Sequence, residues 1–142
     1  LDLNFFDYKY MQNTFFIAAC NEDTIVLDKL INKGFDYKIS QFKYGKDDAE
    51  KDCMCLDSAL ISSLCRGKEK TVEFLINLPN VSIYDFNISI ISIIAFKRDD
   101  ILNKFIKSQH EALEYVNYLK CIRENNSQYD NEIVYIKNLY NI

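Results

Sequence analysis

The chain has 142 residues, 49% of them hydrophobic, with ten Tyr, ten Phe, three Gly and one Pro. That is enough apolar surface for one continuous core and too few breakers for a turn-rich sandwich or barrel, so helices are expected. The net charge is −4 at pH 7 and the longest basic cluster, Lys68-Glu69-Lys70, is interrupted by an acid. Neither nucleic acid nor an anionic membrane is therefore an expected partner.

In chain order, Leu1–Met11 reads as an apolar and aromatic lead, helical or extended. It carries acids and no basic n-region, so it does not read as a signal peptide. Phe15, Phe16, Ala18 and Ala19 then form one helical face, and Val26, Leu27, Leu30 and Ile31 a second stripe that Gly34 closes. A charged and aromatic insertion follows, residues 38–56, longer than most helix connections. The clearest helix pair comes next. Ser58 is its N-cap, Leu60, Ile61 and Leu64 its inner stripe, and Gly67 the break. Val72, Leu75 and Ile76 form its outer stripe before Pro79 ends the unit.

Residues 81–87 alternate apolar and polar, as a short β-hairpin arm would. Ile88–Phe96 is β-branched and reads locally as a buried strand. It nevertheless keeps register with the preceding pair and leads into an Ile101, Leu102, Phe105, Ile106 stripe, which predicts a helix. Ala112, Leu113, Val116, Leu119 and Ile122 mark one further helix. Ile133, Ile136, Leu139 and Tyr140 mark another. Together they predict a divergent C-terminal cap over 110–142.

The pattern around Ser58–Asn77 recurs about 45 residues earlier, at Asn13–Gly34, and about 30 residues later, at Ile88–Ile106. These copies give an expected all-α, single-domain solenoid of three to four helix pairs: residues 13–37, 57–83, 87–108 and the cap. Ser58-Ala59-Leu60, Gly67 and Thr71-Val72-Glu73-Phe74-Leu75-Ile76 resemble the ankyrin-repeat unit. So do Ala18-Ala19 and Val26-Leu27-Asp28-Lys29-Leu30-Ile31-Asn32-Lys33-Gly34-Phe35-Asp36. No copy has that family's Pro or His, and the third lacks both glycines.

The resemblance implies an ankyrin-like fold that binds another protein through hairpin tips and the concave face of the inner helices. Its hairpin arms correspond here to Tyr84, Asp85 and Phe86 and to Phe42, Tyr44 and Lys46 in the insertion. The alternative for Tyr84 and Phe86 is that they cover the edges of their own repeats. A segment of a longer repeat array with no partner of its own is the structural alternative. A cysteine-dependent enzyme is the remaining one.

No catalytic constellation emerges from the motifs. Cys53-Met54-Cys55 lacks the second pair that structural zinc needs. His110 is the one histidine, with nothing local to activate a thiol. Asp47, Asp48, Glu50 and Asp52 lack EF-hand spacing, and no phosphate-binding glycine loop is present. No cofactor or metal and no enzymatic activity are expected. Five cysteines, an odd number with two in predicted helices, point to reduced thiols in the cytoplasm. The longest apolar run falls far short of the roughly 20 residues that span a bilayer.

Overall fold

The computed structural model describes residues 5–38, 55–122 and 128–142. The described residues form eight α-helices and no strand. The chain divides into two compact units, Leu1–Val81 and Ser82–Ile142.

The first unit holds α1 (Phe5–Cys20), α2 (Thr24–Asn32), α3 (Cys55–Cys65) and α4 (Glu69–Ile76). Each consecutive pair packs as a hairpin, and the hairpins stack first helix on first (α1 on α3) and second on second (α2 on α4). Phe15, Ala19, Leu27, Ala59, Leu60 and Leu75 are fully buried. Two hydroxyls bond within this apolar interior. Thr71 Oγ1 donates to the Ala19 carbonyl at 2.9 Å, joining α4 of one hairpin to α1 of the other. Ser63 Oγ donates to the Ala59 carbonyl at 2.7 Å. Buried hydroxyls without such partners would be costly.

Two expected helix starts move. α3 begins at Cys55, so Ser58 lies inside the helix and not at its N-cap. α1 starts at Phe5, not near residue 13, because nothing between Phe5 and Cys20 breaks a helix. Phe16 also leaves the expected buried face and is 38% exposed.

The second unit begins with a 3₁₀ turn, Ile83–Asp85, and continues through α5 (Ser89–Ala95), α6 (Asp99–Phe105), α7 (Gln109–Ile122) and α8 (Asp130–Tyr140). The turn replaces the expected hairpin arm. Ile83 and Phe86 are both buried, a spacing of three that suits a 3₁₀ turn and not the two-residue period of a strand. Asp85 closes it by accepting the Ser82 N–H at 2.8 Å.

Within Ile88–Phe96, Ser89–Ala95 forms a helix, as the register predicts. Ile90 and Ile93 are fully buried while Ile91 is 40% exposed, a helical and not an alternating pattern. At seven residues α5 is too short to be stable alone, so packing supplies its helicity.

The three copies share one backbone turn. α1, α3 and α5 each end in a left-handed residue, Glu22, Gly67 and Lys97, with φ of 56°, 67° and 54°. The next residue donates its N–H five positions back: Asp23 to Ala18 at 2.9 Å, Lys68 to Ser63 at 2.9 Å, Arg98 to Ile93 at 2.8 Å. This is the Schellman closure. That donor then starts the following helix with φ/ψ of −87°/75°, −88°/73° and −86°/64°. Glycine occupies this position once. Glu22 and Lys97 hold a conformation that costs a side-chain-bearing residue about 1–2 kcal/mol. The backbone requirement thus outlasts the residue type that suits it best.

The last pair departs from the pattern. Gln109 Nε2 donates to the Tyr140 carbonyl at 3.1 Å, so the start of α7 meets the end of α8 and the two run antiparallel. α8, the second helix of the pair, is the one that packs on α5. Tyr129 Oη donates to the Asn87 carbonyl at 3.0 Å, Tyr135 Oη to Asp99, and Tyr140 Oη to Asn103 Oδ1 at 2.9 Å. In the first unit the equivalent place beside an inner helix belongs to the first helix of the neighbouring pair.

Candidate interaction surface

Of the six residues expected to meet a partner, Phe42, Tyr44 and Lys46 lie outside the described residues. The other three sit in the 3₁₀ turn and its end, with three different fates. Tyr84 is 40% exposed. Asp85 spends a carboxylate oxygen on the turn itself. Phe86 has no exposed surface and packs on Phe105, ring centroids 5.7 Å apart. A fully buried ring offers a partner nothing, so Phe86 is a core residue that fixes the turn from beneath. Edge covering, the alternative raised by the sequence, describes Phe86 fully and Tyr84 in part, since the Tyr84 ring both covers α7 and reaches the surface.

The Tyr84 ring leans edge-on against two rings of α7, Tyr118 at 4.9 Å and Tyr115 at 5.4 Å. Tyr115 is fully buried and roots the cluster, while Tyr84 carries it to the surface. Burial first, then the negative charges of Glu114 and Glu111, raises the Tyr84 phenol above its ordinary pKa of 10.0. At neutral pH it therefore stays protonated and can donate a hydrogen bond.

Glu111 also caps α7. Its carboxylate accepts the Lys107 N–H at 2.8 Å, just before the N-cap Ser108, whose Oγ accepts the Glu111 N–H at 3.1 Å. Glu114 lies 3.0 Å from the exposed His110 imidazole. A phenol donor beside carboxylates, on rings that lose little conformational freedom when bound, is well suited to contact.

The tyrosines of α7 were missed in the sequence, although a signal existed. Glu111, Glu114, Tyr115 and Tyr118 fall at i, i+3, i+4 and i+7, one helical face. Leu113, expected inside, is 45% exposed because Ala112, Tyr115, Val116 and Leu119 take the inward side of α7.

Among the described residues, the most exposed side chains of α1, α3 and α5 are apolar or uncharged. In the first unit Tyr10 is 72% exposed and Ile17 59%, with Asn13 and Cys65 also outward. Ser62 and Ile61 are half-buried, and Ser62 Oγ lies 3.2 Å from Cys20 Sγ. In the second unit Phe96 and Ile91 are exposed on or just after α5.

No family model, curated protein or solved structure matches this chain. Function must be read from the surface alone. Among the described residues no group of three or more His, Cys, Asp or Glu side chains converges as a metal site would. No described helix is long and apolar enough to cross a membrane.

Proposed function

We propose that the chain is a protein-interaction module of the helical-repeat type, related in plan to ankyrin repeats and working without catalysis in the cytoplasm. The observation that supports it best is the single turn geometry at Glu22, Gly67 and Lys97, repeated at the spacings of the sequence copies. Repeated hairpins that bury one another's faces make extended surfaces, and binding is the use such surfaces serve.

In the second unit the contact residues proposed are the Tyr84–Tyr118 ring edge with Glu114, and Ile91; in the first unit they are Tyr10 and Ile17 on the inner helix. The insertion with Phe42, Tyr44 and Lys46 belongs to the same proposal. Tyr84 is the best single anchor, because exposed tyrosines that rest on other rings are typical of interface hot spots.

The test compares capture of partners from cytosolic extract by the immobilised wild type and by Tyr84→Ala. The expected result is a specific partner whose affinity falls about tenfold or more, the cost of losing a hot-spot ring, at unchanged far-UV circular dichroism. Retention of the same partner at equal affinity by Tyr84→Ala would remove this surface from the account.

A further inference from the structure

The second helices of the first unit, α2 and α4, border an open groove with a cavity volume of about 640 Å³. Its apolar lining is Ile31 of α2, Phe74 of α4 and Leu78 just beyond. Asp28 of α2 and Glu73 of α4 line it too. These two acids are not a chance pair. They occupy the same position in the two sequence copies, about 45 residues apart, so the repeat itself sets carboxylates on neighbouring helices.

Neither carboxylate forms an ion pair among the described residues. Asp28 Oδ2 accepts a long 3.4 Å bond from Asn32 Nδ2. Near Glu73 the amide of Asn77 binds the Glu73 backbone carbonyl at 2.8 Å and leaves the carboxylate alone. Lys70 lines the groove too and supplies one cation against two acids. An aromatic ring and two unpaired carboxylates lining one groove complement a guanidinium, which can stack on a ring while its fork reaches carboxylate oxygens.

We propose that this groove binds a peptide segment in which an arginine alternates with apolar residues. The arginine lies over Phe74 towards Asp28 and Glu73, and an apolar neighbour covers Ile31 and Leu78. The site is separate from the Tyr84 surface and does not depend on it.

Three fluorescein-labelled nonapeptides test the proposal by anisotropy: alternating leucine and arginine, leucine and glutamine, and leucine and glutamate. The arginine peptide is expected to bind at least about tenfold more tightly than the glutamine peptide, and the glutamate peptide not to bind, as charge-assisted pairing requires. Asp28→Asn with Glu73→Gln is expected to remove that advantage, and Lys70→Glu to increase it. Both positions are exposed, so the fold should survive, which circular dichroism checks. Amide shift changes in ¹⁵N–¹H spectra are expected along α2 and α4 and not around Tyr84. Equal binding of all three peptides, arginine binding unchanged in the double variant, or shifts centred elsewhere would each overturn it. Tyr84→Ala is expected to bind the arginine peptide like wild type, so loss of the Tyr84 surface and loss of this groove are read separately.

Discussion

Phe86→Ala is expected to cost about 3–5 kcal/mol, the range for truncating a fully buried phenylalanine. The ring has no exposed surface and tilts 47° against Phe105. The Phe86 carbonyl also accepts the Ile90 N–H at 3.1 Å, so the same residue anchors the first turn of α5. A cavity here therefore loosens both the 3₁₀ turn and the helix it feeds. Urea unfolding followed by circular dichroism measures it, with Tyr84→Ala alongside as a half-exposed neighbour expected to lose clearly less. Equal, small losses for both would mean that Phe86 is not in the core.

Phe15→Ala is expected to lose a similar amount, about 3–5 kcal/mol, in the first unit. Phe15 is fully buried and its ring lies 5.0 Å from that of Phe35. Phe35 follows the left-handed Gly34, and its N–H bonds the Leu30 carbonyl at 3.1 Å. It is thus the residue whose side chain a Schellman turn folds back onto the helix. The pair couples the end of α2 to the middle of α1. A double-mutant cycle with Phe35→Ala should give a coupling of about 0.5–1.5 kcal/mol, as aromatic pairs do. Additive losses would mean that the rings pack independently.

Much of the helical plan was legible in the sequence, because the copies share apolar register even where residue types drift. The β-branched run from Ile88 shows the value of register. Local propensity favours a strand there, yet Ile90 and Ile93 pack inward at helical spacing. The turn at Lys97 was not legible from composition, since glycine marks the equivalent position only at Gly67. Alternation misled at 81–87, where three residues form a 3₁₀ turn and no pattern of period two survives folding.

The order of the last pair was hidden for a different reason. An amphipathic stripe says that a helix buries one side, not which neighbour it meets. α7 and α8 both carry such stripes, and it is α8 that packs on α5. Tyrosine hydroxyls at its start and along it reach Asn87 just before α5 and Asp99 and Asn103 of α6. The surface was half legible. Tyr84 stood out as an aromatic in a connection, whereas the buried support from Tyr115 needed coordinates.

Both proposed binding surfaces require hairpins that lie on one another within each unit. Nuclear Overhauser spectroscopy tests this most directly. Cross-peaks are expected from the Thr71 methyl to Ala19 and from the Tyr129 ring to Asn87, pairs distant in sequence that stacking brings to hydrogen-bond range. Spectra with strong contacts inside each hairpin and none between Thr71 and Ala19 or Tyr129 and Asn87 would contradict the stacked arrangement.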